Sequence, residues 1–369
     1  MAQSISLLLK PSSSLCNLSC DYCFYCDEAQ KRTRASYGFM TEATLQTIIK
    51  KVLWDAKGPV HFAYQGGEPT LQGLDFFEKA VRFQKQYNRN QVPVTNALQT
   101  NGYLLDADWC HFLKQNDFLT GISLDGTAQI HNKYRHFQGG PTYEKILASA
   151  ELMQEYQVDF NVLTVVTQDV ALHIKEIYED YQKRGFFYQQ YIPCLKPLGE
   201  FSTRYPWSLK PETYGRFLIE LFDLWYADLL DGKQPYIRQF ENYVALAAGY
   251  LPESCEYRGI CGLQYVVEAD GSVYPCDFYM LDSDCLGNFH QDSLETFDKK
   301  RAGLRFIERS RHWNADCLSC SYRFLCRNGC QRNRNPENQK NDLCTGYQMF
   351  FEACQERIFQ LAAAIAGGR

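Results

Sequence analysis

The amino-acid sequence predicts an α/β fold: a partial barrel of six βα units, followed by a smaller cysteine-rich domain. Up to about residue 235, short apolar runs alternate with longer amphipathic runs, a pattern typical of βα units around a parallel sheet. The composition then changes, because ten of the sixteen cysteines lie between Cys255 and Cys354. We therefore expect two domains, at 1–235 and 236–369.

The six strands are expected at residues 5–9, 60–64, 94–98, 119–124, 160–166 and 187–192. The helices between them are expected at residues 42–54, 74–87, 107–114, 143–156 and 174–184. A linker near 202–206 precedes a helix at about 211–230, a short helix or turn near Arg238, a hairpin turning at Asp270-Gly271, and a C-terminal helix. In such a barrel the reactive groups gather at the carboxyl ends of the strands.

The loop after the first strand carries three cysteines within eight residues, Cys16, Cys20 and Cys23. Soft thiolates suit iron–sulfur clusters, and a four-iron cluster held by only three of them keeps one iron open to another ligand. A disulfide with a spare thiol, or a three-ligand zinc site completed from elsewhere, also fits this spacing. Cys26 follows closely; as a fourth ligand it would close the cluster, so we interpret it as a bystander.

Polar and glycine-rich sequences end the next predicted strands. They are Gln65-Gly66-Gly67-Glu68-Pro69-Thr70, Gln99-Thr100-Asn101-Gly102 and Ser123-Leu124-Asp125-Gly126. Paired glycines remove side chains so that backbone carbonyls can approach a ligand, and Pro69 stiffens the exit from the turn. An ordinary surface turn uses the same residues.

The C-terminal cysteines form two blocks. The first contains Cys255, Cys261 and Cys276, with Gly271 ahead of Cys276; the second is Cys317-x2-Cys320-x5-Cys326-x3-Cys330, followed by Cys344. Sulfur sites serve zinc as well as iron–sulfur clusters, so a zinc ribbon also fits the second block. The remaining cysteines are Cys110, Cys194 and Cys354, expected as buried core thiols, and Cys285, for which no role is assigned.

Charge and composition exclude several classes of protein. With 38 basic and 43 acidic residues the chain has no basic surplus, which argues against nucleic-acid binding. Met1-Ala2-Gln3-Ser4 lacks the charged start of a signal peptide, and no apolar run of about 18 residues would span a membrane. We therefore expect a cytoplasmic protein, in which clustered cysteines bind metal rather than form disulfides.

The three-cysteine loop and the Gly-Gly-Glu-Pro turn one βα unit later together resemble the radical S-adenosylmethionine (radical SAM) superfamily. Both C-terminal cysteine blocks resemble the SPASM domain, an extension of radical SAM enzymes that act on peptides. The resemblance implies three [4Fe–4S] clusters, the first open and the other two fully ligated. The auxiliary ligand sets that it implies are Cys255, Cys261, Cys276 and Cys330, and Cys317, Cys320, Cys326 and Cys344.

The same resemblance implies contacts with S-adenosylmethionine. The residues concerned are Tyr22, Gly66, Gly67, Glu68, Ser123, Asp125 and Arg135. The turn would bind the amino group of the methionine moiety. Arg135 would bind its carboxylate, because a guanidinium fork matches a carboxylate geometrically. A solvated arginine at a helix end is the alternative for Arg135.

Over nearly its whole length the sequence is similar to anaerobic sulfatase-maturating enzymes. The matching runs are Leu-Leu-Lys-Pro at 8–11 and the stretches 62–71, 98–102, 222–226 and 270–279. Asp277, directly after Cys276, matches the proposed base of that family; a turn aspartate that caps a backbone amide is the alternative. Tyr25, Gln65 and Arg238 match positions that hold the peptide, and packing or surface contact is the alternative for each.

The family resemblance implies that a cysteine or serine of an unfolded sulfatase, within Cys/Ser-x-Pro-x-Arg, is oxidised to formylglycine. A 5′-deoxyadenosyl radical would take the β-hydrogen, and a low-potential donor such as flavodoxin or ferredoxin would supply electrons. Two other functions stay open. One is a SPASM peptide maturase that forms thioether or carbon–carbon crosslinks and does not require Asp277. The other is a non-enzymatic iron–sulfur carrier or zinc adaptor, which would need no cofactor cradle at Gly66-Gly67.

Overall fold

The computed structural model describes residues 4–200 and 204–367. Most of the N-terminal segment inspected for a signal peptide, and the first residues of the predicted linker, lie outside this range. The strands are β1 Ile5–Leu9, β2 Ser19–Cys20, β3 Val60–Tyr64, β4 Val94–Thr100, β5 Phe118–Ser123, β6 Arg135–His136, β7 Phe160–Val166, β8 Tyr188–Pro193, β9 Tyr236–Ile237, β10 Tyr265–Val267, β11 Ser272–Tyr274 and β12 Gly287–Asn288. The six predicted barrel strands are confirmed to within two residues.

The helices include all those expected, together with several short ones in the C-terminal third. They are α1 Phe24–Gln30, α2 Glu42–Leu53, α3 Leu74–Tyr87, α4 Ala107–Gln115, α5 Ala128–Tyr134, α6 Tyr143–Glu155, α7 Gln168–Leu172, α8 Ile174–Arg184, α9 Pro211–Leu230, α10 Arg238–Ala247, α11 Cys255–Arg258, α12 Leu294–Gly303, α13 Phe306–Arg309, α14 Ala315–Leu318, α15 Arg323–Cys326 and α16 Cys344–Gly367. Short 3-10 helices lie at Pro69–Gln72, Asp282–Asp284 and Gln331–Asn333. None of the described helices has the length and apolar composition needed to cross a bilayer.

The described chain divides into two compact units. The first contains the residues up to Leu124, His131–Phe160 and Leu263–Arg305; the second contains Asp125–Ile130, Asn161–Gly262 and the residues from Phe306 onward. The boundaries of these two units do not coincide with the domain boundary expected near residue 235. That boundary stays a prediction.

The first unit is organised by a mostly parallel sheet, which places the carboxyl ends of several strands side by side. Strands β1, β3, β4 and β5 pair in parallel, in this order. The predicted hairpin is confirmed, because β10 and β11 pair antiparallel on either side of Gly271 at φ +87°. Its first strand also pairs in parallel with β1, with Leu7 opposite Tyr265. The hairpin therefore extends the sheet at β1, and the segment that follows it contains Cys276 and Asp277.

Strand β4 is two residues longer than predicted. Gln99 and Thr100 continue the ladder opposite Gly121 and Ile122 of β5. The polar side chains of Gln99 and Thr100 had suggested that the strand ends earlier, whereas the backbone hydrogen bonds do not depend on side-chain polarity. As a result, the polar residues at this rim are held by the sheet rather than by a loop.

The second unit pairs β7, β8 and β9 in parallel and packs long helices beside them. Helix α9 lies against α16, and their backbones approach closely at two glycines: a Cβ on Gly346 would lie 2.3 Å from the carbonyl oxygen of Pro211. Phe222 and Phe240 pack edge to face with ring centroids 5.1 Å apart. Phe350 of α16 packs against both rings, so this aromatic core holds the helix that begins at Cys344.

Candidate functional site

The three-cysteine loop leaves β1 and folds through two tight turns. Ser13 N–H donates to the carbonyl of Lys10, and Leu15 N–H donates to that of Ser12. Polar groups surround the sulfurs: the amide nitrogen of Asn101 lies 3.7 Å from Cys16 Sγ, and a guanidinium nitrogen of Arg135 lies 3.9 Å from Cys20 Sγ. Donors aimed at sulfur stabilise thiolates, so this donor set fits an iron–sulfur cluster.

The sulfur of Cys23 receives an additional donor from the protein. The thiol of Cys26 hydrogen-bonds to it and lowers the pKa of Cys23 to about 6, against the effect of burial. Burial raises the pKa of Cys16 to about 11. Cys26 itself is exposed and lies in the first turns of α1, so it adjoins the loop without being part of it.

The Gly66-Gly67 turn packs directly on this loop. Gly67 N–H donates to the carbonyl of Ser13 and Glu68 N–H to that of Leu15, at 2.9 Å and 2.7 Å. A Cβ on Gly67 would lie 2.0 Å from the Leu15 carbonyl oxygen, and a Cβ on Gly66 would lie 2.7 Å from the Lys10 side chain. Gly67 therefore lets two backbone segments approach each other, and Gly66 leaves room for the Lys10 side chain. The sequence had suggested only that a ligand approaches this turn.

Glu68 is buried, and its carboxylate joins the ends of β3 and β4. One oxygen accepts hydrogen bonds from Thr70 and from the hydroxyl of Thr100, and the other accepts from Asn101 N–H at 2.7 Å. Burial raises the pKa of Glu68, and these donors lower it. The side chain supports the turn and holds Asn101 near Cys16.

The other predicted cofactor contacts lie at several places in the fold. Ser123 ends β5 and accepts a hydrogen bond from Gln99 at 3.3 Å. Arg135 is buried with its guanidinium 5.5 Å from the ring centre of Tyr22. Asp125, in the second unit, is buried and accepts from Val165 N–H at 2.9 Å. Tyr22 and Arg135 are therefore neighbours beside Cys20.

Asp277, Tyr25 and Gln65 come together in the first unit. Tyr25 donates to Asp277 Oδ2 at 2.6 Å, and the Gln65 amide donates to the Tyr25 hydroxyl at 2.7 Å and approaches Oδ2 at 3.4 Å. Asp277 is buried, and its Oδ1 has no hydrogen-bond partner among the described residues. Burial raises the pKa of Asp277, while the charge of Lys10 and the hydrogen bond from Tyr25 lower it.

Lys10 is a member of this cluster that the sequence analysis used only as part of a matching motif. Its ammonium is buried, 4.0 Å from Asp277 Oδ1 and 4.2 Å from the ring centre of Tyr25. Its hydrogen-bond acceptor is the weakly accepting sulfur of Met280, at 3.1 Å. A lysine at the carboxyl end of an apolar strand was the available signal, since reactive groups gather at that edge.

Arg238 lies in the second unit, where it begins α10 and forms an ion pair with Glu253. The role of Arg238 in peptide binding therefore stays a prediction. The half-buried Cys194 differs from the buried thiol expected, whereas Cys110 and Cys354 are fully buried. Cys285 packs against a small cluster made of Val266, Tyr274 and Met280.

The second auxiliary ligand set forms one group in the second unit. Cys317, Cys320, Cys326 and Cys344 line a single cavity and are half-buried. Burial and the neighbouring cysteines raise the pKa of Cys317 and, to about 12, that of Cys326. Asp316 also lines this cavity and pairs with Lys340. Four thiols are the donor set that a [4Fe–4S] cluster uses, so these cysteines fit such a group.

Three members of the first auxiliary ligand set, Cys255, Cys261 and Cys330, are also neighbours in the second unit. Cys255 and Cys261 both act electrostatically on Cys330, and the amide of Gln331 lies 3.1 Å from Cys261 Sγ. The buried guanidinium of Arg334 donates to carbonyls of Gly259, Ser310, His312, Asn328 and Gly329, which ties together the loops that carry these cysteines. Cys276 belongs to the first unit. Among the described residues, no group of three or more His, Cys, Asp or Glu side chains is arranged to hold a single metal ion.

Comparisons with known proteins identify two domains in this chain. Residues 11–181 match the radical SAM superfamily, and residues 260–321 match the SPASM iron–sulfur cluster-binding domain. The chain is 40% identical to a cysteine-type anaerobic sulfatase-maturating enzyme of Clostridium novyi, with 99% of each chain covered. It is 28% identical to a serine-type enzyme of Bacteroides thetaiotaomicron, with 95% of this chain and 89% of that one covered.

Solved structures agree over the same length. The structure of native anSMEcpe with bound AdoMet has a TM-score of 0.93 at 41% identity and covers 97% of this chain and 99% of its own. A second structure, with AdoMet and the Cp18Cys peptide, also has a TM-score of 0.93 and covers 98% and 100%. Streptococcus suis SuiB, at 16% identity and a TM-score of 0.63 (93% of this chain and 76% of that one covered), shares the fold.

The fold, the cysteine loop and the two matched domains define a radical SAM enzyme with a SPASM domain, whose cofactors are S-adenosylmethionine and iron–sulfur clusters. Similarity over nearly the full length then places it within one group. The chain belongs to the family of anaerobic sulfatase-maturating enzymes. The family predicted from the sequence is thus confirmed, and so is the prediction that the chain is an enzyme.

Replacing Cys26 with alanine is expected to leave reductive cleavage of S-adenosylmethionine intact, because Cys26 lies beside the three-cysteine loop and would only donate to Cys23. The measurement is 5′-deoxyadenosine released under dithionite, with iron content alongside. Cys20→Ala is the matched control and should lose cluster iron and cleavage together. Loss of cleavage in a folded Cys26→Ala variant would instead make Cys26 a ligand.

Proposed function

We propose that this enzyme oxidises a cysteine of a sulfatase polypeptide to formylglycine with Asp277 as the general base. The observation that carries the proposal is the carboxylate of Asp277, whose Oδ2 is held by Tyr25 while Oδ1 has no hydrogen-bond partner among the described residues. A carboxylate that is fixed at one oxygen and has an unused acceptor at the other can take a proton from a thiol brought within hydrogen-bond reach.

The oxidation removes two electrons and two hydrogens from the target side chain. When bound, S-adenosylmethionine and the iron–sulfur clusters supply a 5′-deoxyadenosyl radical, which takes a hydrogen atom from Cβ, and an acceptor for the remaining electron. Asp277 takes the thiol proton as the C–H and S–H bonds break and the carbon–sulfur double bond forms. Hydrolysis of this thioaldehyde releases hydrogen sulfide and leaves the aldehyde of formylglycine.

Tyr25 and Gln65 orient the base for this step. Burial and the charge of Asp277 raise the pKa of Tyr25 well above its usual value, so its hydroxyl stays a donor to Oδ2. The ammonium of Lys10 lies on the side of Oδ1 and favours the charged carboxylate. Tyr25 and Gln65, together with Arg238, are also proposed to contact the peptide.

Three [4Fe–4S] clusters are part of the proposal. Cys16, Cys20 and Cys23 would hold the first and leave one iron for S-adenosylmethionine. The auxiliary clusters would use the two four-cysteine sets, Cys255, Cys261, Cys276 and Cys330, and Cys317, Cys320, Cys326 and Cys344. Support comes from the electrostatic effect of Cys255 and Cys261 on Cys330 and from the cavity that Cys317, Cys320, Cys326 and Cys344 share. All of these thiols must stay reduced to hold the clusters, so the proposed location of the enzyme is the cytoplasm.

The proposed cofactor cradle is formed by Tyr22, Gly66, Gly67, Glu68, Ser123, Asp125 and Arg135. Arg135 combines burial with a planar guanidinium, which suits the carboxylate of the methionine moiety. Glu68 would act through the turn that it fixes, because its carboxylate is already hydrogen-bonded on both oxygens.

A peptide assay tests the proposed function. The reconstituted enzyme with S-adenosylmethionine and dithionite is expected to convert a Cys-x-Pro-x-Arg peptide to formylglycine, seen by mass spectrometry. The serine peptide should react more slowly, because the relatives of 40–42% identity are cysteine-type and those of 28–30% are serine-type. Release of 5′-deoxyadenosine without aldehyde on either peptide would instead favour a thioether or carbon–carbon crosslinking maturase.

A further inference from the structure

One surface of the second unit combines exposed apolar side chains with unpaired positive charge. Phe324 and Leu318 are 50% and 61% exposed, and Phe324 stacks with Phe359, itself 43% exposed. Arg327 lies with its guanidinium 5.7 Å from the ring centre of Phe324, and Arg323 donates to the carbonyl of Leu318. We call these five residues the basic face.

The charge of the basic face is not neutralised locally. Neither Arg323 nor Arg327 has a carboxylate within ion-pairing distance among the described residues, whereas nearby Lys340 pairs with Asp316 at 2.9 Å. Residues 306–334 contain six arginines, of which Arg334 is buried, and only two carboxylates, in a chain whose net charge is −5. Positive charge is therefore concentrated here against the trend of the whole chain, and it attracts an acidic partner.

The basic face lies over the second cysteine set. The cavity lined by Cys317, Cys320, Cys326 and Cys344 is also lined by Arg323 and Arg327. These thiols are half-buried rather than enclosed in the core. A protein bound to the basic face would therefore lie close to the cysteine set.

We propose that the basic face docks a small acidic electron-transfer protein. This inference rests on the proposed function, which requires one electron to start each cleavage of S-adenosylmethionine and a carrier to deliver it. Electron-transfer proteins bind each other through small interfaces. Complementary charge raises the rate of association, and a few exposed apolar side chains form the direct contact. Aromatic side chains and arginine are also the residues enriched at interfaces.

A binding experiment with the reconstituted full-length enzyme tests the proposal. The probe is a flavodoxin, titrated calorimetrically at about 50 mM salt and again at about 300 mM, where screening is stronger. We expect R323E/R327E to weaken binding about tenfold or more at the lower salt, with the difference shrinking at the higher salt. The matched control is K57E/K175E, which reverses two exposed lysines elsewhere and should bind within about twofold of the parent.

A second readout separates this proposal from the proposed function. Dithionite needs no docking site, so R323E/R327E samples matched to the parent in iron content should form formylglycine at the parental rate with dithionite. Equal flavodoxin affinity in R323E/R327E and the parent overturns the docking proposal. Lost affinity for the sulfatase peptide with unchanged flavodoxin binding also overturns it and assigns the basic face to the substrate. Absence of formylglycine from the parent enzyme with dithionite contradicts the proposed function alone.

Discussion

Asp277→Asn should lower formylglycine formation by about two to four orders of magnitude, the range that general bases contribute. Cleavage of S-adenosylmethionine should continue, because the residues of the three-cysteine loop and the Gly66-Gly67 turn are unchanged. The physical reason lies in Oδ1: an amide at this position keeps the shape of the side chain but cannot take the thiol proton. The measurement is the ratio of aldehyde to 5′-deoxyadenosine, by mass spectrometry and chromatography on the same samples.

Tyr25→Phe provides the comparison for this variant. It removes the donor at 2.6 Å from Oδ2 but leaves a carboxylate to act as base. We expect a smaller loss than with Asp277→Asn, with the ratio of aldehyde to 5′-deoxyadenosine falling in between. If Asp277→Asn kept the parental ratio, the base would have to be another group, and the proposed role of Asp277 would be wrong.

Spacing and resemblance predicted much of this enzyme because its chemistry depends on local motifs. Cys16, Cys20 and Cys23 occupy one loop, and Asp277 follows Cys276 directly, so each group is visible in the chain order. The roles predicted for these residues came from the family resemblance. The strand periodicity predicted the barrel strands for a similar reason, since alternation and apolar runs reflect burial on each side of a sheet.

What the sequence did not predict depends on contacts between distant segments. Nothing near Lys10 in the chain indicates that its ammonium faces Asp277, because this contact exists only once β10 pairs with β1. Likewise, the carboxylate of Glu68 was expected at the cofactor, whereas its position between β3 and β4 depends on the parallel register of those strands. Contacts of this kind depend on the order of the strands in the sheet, which the hydrophobic periodicity of the sequence does not determine.

Gly67→Ala is expected to disrupt the three-cysteine loop, although it adds a single methyl group. The added Cβ would lie 2.0 Å from the carbonyl oxygen of Leu15 and 2.6 Å from its carbonyl carbon, both backbone atoms that no rotamer change can move. Relief requires separation of the turn from the loop, which breaks the hydrogen bonds to Ser13 and Leu15. Overpacking of this kind costs about 1–3 kcal/mol, and each lost hydrogen bond adds about 1 kcal/mol.

The consequence of Gly67→Ala should therefore be measurable as weaker binding of S-adenosylmethionine and lower cluster iron, together with a lower melting temperature. Gly303→Ala is the matched control, because its Cβ would meet nothing within 4 Å and alanine suits the end of α12. Since the loop carries Cys16 and the turn carries the proposed amino-group contact, one steric clash would disturb cluster and cofactor together. Parental affinity and iron content in Gly67→Ala would show that the loop and the turn can separate without cost, contrary to the packing described above.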